Sequence, residues 1–335
     1  MLSDEEMQKF VESYTSVHTF KVSAHSLLYE PKSDQLIVGL NKNQGLTAFD
    51  CKTYKSTPIH DTSKITHLTL SADQNIFYGI KERSPCPIVV GNLENHTCQP
   101  LDPLLCGDTL AYSLANKELY VGLFQSITVL NQTNQKNSWH AAFNGYISNF
   151  CCNDTNKVFY VSSTEGSIQR WSMSGTCEKT IKIESHVKSM LCDQKSGDLY
   201  IIRALFPLFV RYDAKLENSC PVEYHFLPDS PLYPIEFAQD TISQLMCLTS
   251  TSLRDQKRVH FFDPNNPKIQ YTTQLNESGL SIACDPTSST FFIGTTDGVH
   301  IFKPKTSYIV LSLLKQSIFT VFKIYKQTLR GLISV

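Results

Sequence analysis

The sequence predicts an all-β fold, a seven-bladed β-propeller of four-stranded antiparallel blades, with a short N-terminal helix and a C-terminal extension. Three observations carry that reading. A β-branched or apolar run ending on an aromatic-polar step occurs seven times, at Leu46 to Asp50, Ile88 to Asn92, Ile127 to Asn131, Ile168 to Ser172, Phe209 to Asp213, Val259 to Asp263 and Val299 to Lys303. Their last residues lie 42, 39, 41, 41, 50 and 40 positions apart, the length of one propeller blade and too long for a helical-pair repeat. Composition agrees, since 15 Tyr and 19 Phe against 5 Met favour strands over helical bundles.

Within a unit the elements follow in order. In the fourth, Tyr146 to Phe150 reads as an inner strand and Asn153 to Lys157 as a polar turn. Val158 to Ser162 is the second strand, Thr164 to Ser167 a tight turn, and Ile168 to Ser172 the third strand. Second strands recur as short apolar runs after a polar turn, such as Gln35 to Gly39, Glu118 to Gly122 and Thr290 to Gly294, the pattern of strands buried on both faces. One closed domain over residues 17–314 accounts for these units, with a helical segment at 1–16 and an extension at 315–335.

The step Ser163-Thr164-Glu165-Gly166-Ser167-Ile168-Gln169-Arg170-Trp171-Ser172 resembles the Ser-x-Asp-Gly-Thr-Val-x-Leu-Trp-Asp signature of WD-repeat propellers, and the resemblance covers roughly residues 17 to 305. Asn43 to Asp50 and Thr295 to Lys303 are weaker copies, one step of seven carries the Trp, three carry the Asp, and the family's Gly-His survives only as Ala24-His25 and Ser185-His186. The resemblance implies seven blades and ring closure by an N-terminal strand, for which Val17 to Val22 is suitably placed. It also implies a buried His-Ser-Asp-Trp network, and because the motif has decayed here, packing is expected to carry more of the stability. Asp4 to Tyr14, with acids in its first turn, reads as the helix.

The C-terminal stretch has two readings. Tyr308 to Leu314 could supply the last outer strand. Beyond it, Leu311, Leu314, Ile318, Val321, Tyr325, Leu329 and Leu332 stand at helical spacing among Lys315, Lys323, Lys326 and Arg330. Packing of this extension against the propeller is the favoured expectation, ahead of a truncated further blade or a helix on a membrane surface.

A formal charge of −1 and a pI near 6.8 provide no field for nucleic acid or anionic lipid, so recognition is expected to be local. The 11 cysteines are scattered, odd in number and without a Cys-x-x-Cys pair, which predicts reduced, mostly buried thiols rather than disulfides or zinc. With an acidic N-terminus that lacks the features of a secretory signal, the expected compartment is cytoplasmic, with the nucleus as the alternative. The vicinal Cys151-Cys152 pair is read as structural, its side chains pointing to opposite faces of a strand, and His60-Asp61 as part of an inter-unit loop.

No phosphate loop, dinucleotide fingerprint, nucleophile elbow or zinc helix is found. The expectation is a chain without catalytic residues, metal or cofactor: an interaction scaffold for a protein partner, as a subunit of a hetero-complex. The resemblance to WD-repeat propellers implies that loops between second and third strands and between blades share one face, and there the chain places Arg83, Phe124, Phe143, Phe206, Leu208, Tyr233 and Arg254, aromatic and Arg chemistry typical of binding hot spots. The alternatives are an enzyme working in the central channel, and a reader of a modified peptide or ubiquitin.

Overall fold

The computed structural model describes residues 4–304 apart from 41–44, 60–63, 74, 83–86, 103–104, 132–135, 142–144, 184, 205–208, 222–231, 242, 253–256 and 286. These residues form seven four-stranded antiparallel sheets, six of them built from consecutive strands. We number the blades in chain order and letter the strands a to d from the inside outward. Strands a of successive blades touch in cyclic order, the last against the first, which makes the sheets a ring.

Each strand b shows why the ring holds. In Val158–Ser163 of blade 4 every side chain is buried, and in Gln35–Leu40 of blade 1 the four central residues are. Alternation divides them between two neighbours: Leu36 and Val38 join a core shared with blade 7, whereas Ile37 joins one shared with blade 2. The seven apolar clusters are the seven blade interfaces, so a strand that is apolar on both faces is the unit of both sheet and ring. At the end of strand b the next blade comes close; a Cβ on Gly39 would lie 2.8 Å from the Ile65 carbonyl oxygen, and glycine permits the approach.

The a–b turns obey one rule. Glu30, Ser71, Ser113, Asn153, Asp193, Asp240 and Asp285 follow or end the inner strands, and all are buried. In six of them the side-chain oxygens accept backbone N–H groups of the turn: Lys32 and Ser33 for Glu30, Asp73 for Ser71, Asn116 for Ser113, Asn156 for Asn153, Lys195 for Asp193 and Thr287 for Asp285. Asp240 accepts the hydroxyls of Ser243 and Ser289. The turn closes with a left-handed residue at Asp34, Lys117, Lys157, Gly197, Gln244 and Ser289. Buried acceptors here supply the turn with the hydrogen bonds its backbone lacks.

In five of the seven repeated steps the polar last residue is seen to have the same task at the c–d turn. Asp50 accepts from Lys52 and Thr53, Asn92 from Glu94 and Asn95, Ser172 from Thr176, Asp213 from Lys215 and Glu217, and Asp263 from Asn265. The seventh step ends on Lys303. Its outer strand comes from the other end of the chain, since Thr15–Phe20 pairs antiparallel with Val299–Lys303. The expected N-terminal closure is therefore present, and the alternative that Tyr308 to Leu314 forms that strand is corrected because the position is filled; 305–335 lie outside the described residues.

Helix α1 (Asp4–Glu12) extends the closure onto blade 6, with Asp4, Glu5 and Glu6 at the positive end of its dipole. Phe10 and Val11 are buried, Tyr14 stacks on Phe261 at 4.5 Å, and its hydroxyl donates to the Ser289 carbonyl at 2.8 Å. The Gln8 amide exchanges two hydrogen bonds with the backbone of Gln270 on the outer strand of blade 6, covering part of that edge.

The expected tetrad is replaced. The indole of Trp171 donates to Gln169 on its own strand at 3.0 Å. In blade 6, His260 on strand c links Ser250 of strand b (2.7 Å) with Thr272 of strand d (2.9 Å). In blade 7 His300 links Thr295 and Asp297 with Thr19 of the closing strand. Polar bonding thus persists in the last two blades, in a different geometry.

Candidate functional site

Antiparallel order puts the a–b and c–d turns on one face of the ring and the b–c turns with the inter-blade segments on the other. On this second, loop face, blade 4 has a tight turn at Gly166, where φ is +74° and a Cβ would lie 2.4 Å from the Ile183 carbonyl. Blade 3 makes its b–c turn with Phe124 at φ 53° and a ring 58% exposed. A bulky residue in the left-handed region is strained. Among the described residues nothing buries that ring.

Phe124 packs edge-on to Tyr146, centroids 5.4 Å apart at 62°, and Tyr146 is itself 56% exposed. Their backbones are held firmly. The Phe124 carbonyl accepts from Ile147 N–H at 2.6 Å, Gln125 accepts from Ala141 at 2.8 Å, and Tyr146 N–H donates to Thr164 Oγ1 while its carbonyl accepts from Thr164 N–H. Two blades thereby present one aromatic surface on a rigid frame, the arrangement of an interface anchor.

Of the seven residues expected at this face, the structure describes the side chain of Phe124. Tyr233 lies on strand a of blade 6, Leu232–Gln239, at the register position that Tyr146 holds just ahead of strand a in blade 4. Arg83, Phe143, Phe206, Leu208 and Arg254 lie outside the described residues, as do His60 and Asp61. Tyr146 was placed within the inner strand by its sequence and missed as a surface residue. The available signal was its position before the first buried residue of that strand, where other blades carry Ser23, Lys64 and His186.

One polar side chain per inner strand stands at corresponding register near the end of strand b: Ser26, His67, Thr109, Asn149, Ser189, Glu236 and Ser281. Several reach the next blade, with Ser26 donating to Ile65 O at 2.9 Å, Asn149 to Val187 O at 2.9 Å, and Ser189 to the Glu236 carboxylate. Burial raises the pKa of Glu236, against the lowering effect of Ser189 and the Phe237 N–H. Glu236 was not among the residues singled out by sequence. Among the described residues no group of three or more His, Cys, Asp or Glu side chains is placed to hold a metal ion.

Cys151 and Cys152 take opposite faces, Cys151 against the blade 4–5 core and Cys152 against the blade 3–4 core. Burial raises both thiols well above their ordinary range, so both are structural.

No family model matches the chain, and no curated protein matches it. What the geometry defines is the architecture, a seven-bladed propeller closed by its own N-terminal strand. Among the described residues no helix is long and apolar enough to cross a membrane.

Proposed function

We propose that this chain is a non-catalytic platform for a protein partner within a hetero-complex, acting through the loop face in the cytoplasm, and that it is a divergent relative of the WD-repeat propellers. The single observation that supports the reading most is the exposed Phe124–Tyr146 pair, a strained and solvent-facing aromatic surface fixed by backbone hydrogen bonds. Strain without a packing benefit inside the ring points to a use outside it. A hot-spot ring is worth about 2 kcal/mol or more of binding, which corresponds to roughly a 30-fold change in affinity.

The test is quantitative affinity purification with mass spectrometry on the whole chain and on Phe124→Asn/Tyr146→Ser. Partners recovered with the native chain are expected to fall at least tenfold with the variant, while its melting temperature does not drop. Equal recovery of the same partners would remove this face from the proposal.

A further inference from the structure

On the a–b-turn face, away from the loop face, the inner strands of blades 2 to 4 and the first turn residues of blades 3 to 5 leave a cleft of about 720 Å³ at the channel mouth. Leu68, Leu110, Tyr112, Leu114 and Phe150 supply its apolar lining, and Asp154 lies at its rim. Leu114 is 56% exposed at the lip, at a turn position where neighbouring blades carry Ala72, Asp154 and Gln194. The turn is well fixed, since Asp154 accepts both the Ser113 hydroxyl and the Leu114 N–H. Thr69, Asp154 and Gln194 add polar groups to the lining, so the cleft suits an occupant that carries apolar side chains among polar or basic ones.

We propose that residues 305–335 of the same chain cross this face and seat their apolar side chains in the cleft, with Leu114 as the anchor. The chain leaves the last sheet at Lys303 on this very face, and the outer position of blade 7 is already taken by Thr15–Phe20. Reach is sufficient. The cleft on blades 2 to 4 lies across the channel from blade 7, whose strand c is itself two strand spacings, about 10 Å, outside its inner strand, and the stretch 305–335 can span up to about 100 Å when extended.

Charge has the right sign as well. The whole chain carries −1 and residues 305–335 carry five basic and no acidic side chains, so residues 1–304 carry −6. Apolar residues three or four apart from Leu311 to Leu332 give that basic segment one apolar side. A body of net charge −6 opposes the approach of this segment to an anionic bilayer and favours its return to the ring.

Limited trypsinolysis of the full chain tests the placement through Lys315, Lys323, Lys326 and Arg330. In the native chain these sites are expected to be cut at least tenfold more slowly than in Leu114→Asn, and 0.5 M NaCl is expected to speed the native cut several-fold. Equal rates in the two chains overturn the proposal. In a second measurement a photo-crosslinking amino acid replaces Leu114, and adducts within one chain to peptides from 305–335 support the docking. Adducts only between copies overturn it, as does protection of the four sites that arises only when phosphatidylserine vesicles are added.

Discussion

The imidazole of His260 joins three strands of blade 6, and burial together with the nearby Arg258 cation lowers its pKa to about 3 from an ordinary 6.5. The unfolded chain therefore takes up this proton first as the pH falls. Stability from this group is complete above pH 6.5 and is lost progressively down to about pH 3, with a limiting slope of about 1.4 kcal/mol per pH unit. Urea unfolding at pH 7 and pH 5 is expected to show the native chain losing about 2 kcal/mol more than His260→Gln; identical losses would contradict the assignment. Phe124 gives an opposite kind of prediction. Asn tolerates the left-handed region at a cost lower by about 1 kcal/mol, so Phe124→Asn alone is expected to raise the melting temperature, and a fall would show that the ring contributes to folding. Cys247 is buried, Cys151, Cys152 and Cys284 are half-buried, and desolvation raises the thiol pKa of all four. They are expected to resist a thiol reagent at pH 8 until denaturant is added, whereas exposed Cys177 and Cys220 react in the native state.

At the scale of elements, the N-terminal segment joins blades 6 and 7 through side chains as well as through the sheet. Tyr14 is fully buried between Phe10, Phe261 and Phe291. Tyr14→Ala is expected to cost about 3–5 kcal/mol, and Tyr14→Phe about 1–2 kcal/mol through the Ser289 carbonyl left without its donor; a loss below 1 kcal/mol for Tyr14→Ala would mean that the segment is not integral to the ring. The strands and their number were legible because a strand buried on both faces must be apolar throughout, and that run recurs at blade length. The c–d turn acceptors were legible too, as the polar ends of the steps, although their task emerges only from the bonds they make. The a–b acceptors escaped notice because Glu30, Ser71 and Asn153 share an acceptor oxygen and no residue type. The His260 network is assembled from three separate strands and the His300 network from one strand, the b–c turn before it and the closing strand, so neither is complete within one local pattern. Phe124 and Tyr146 stand in different blades, and only the ring brings them together.

At the scale of the whole molecule, seven interfaces each hold their own apolar core, and a ring of this kind is as strong as its last junction. That junction is the pairing of Thr15–Phe20 with Val299–Lys303, strengthened by Phe20 against Phe49 at 4.3 Å and by the Thr19–His300 bond at 3.2 Å. Closure gives blade 7 the same four strands as the other six and ties the N-terminal strand to the last blade, so the loop face can stay stiff while meeting a partner. Native-state amide exchange over these two strands, compared with Val158–Ser163 of blade 4, tests the closure most directly. The expected result is that all three segments exchange with the same free energy, in one cooperative opening of the ring. Exchange of Thr15–Phe20 at a much lower free energy than blade 4 would show an open ring and contradict the stiff platform built on it.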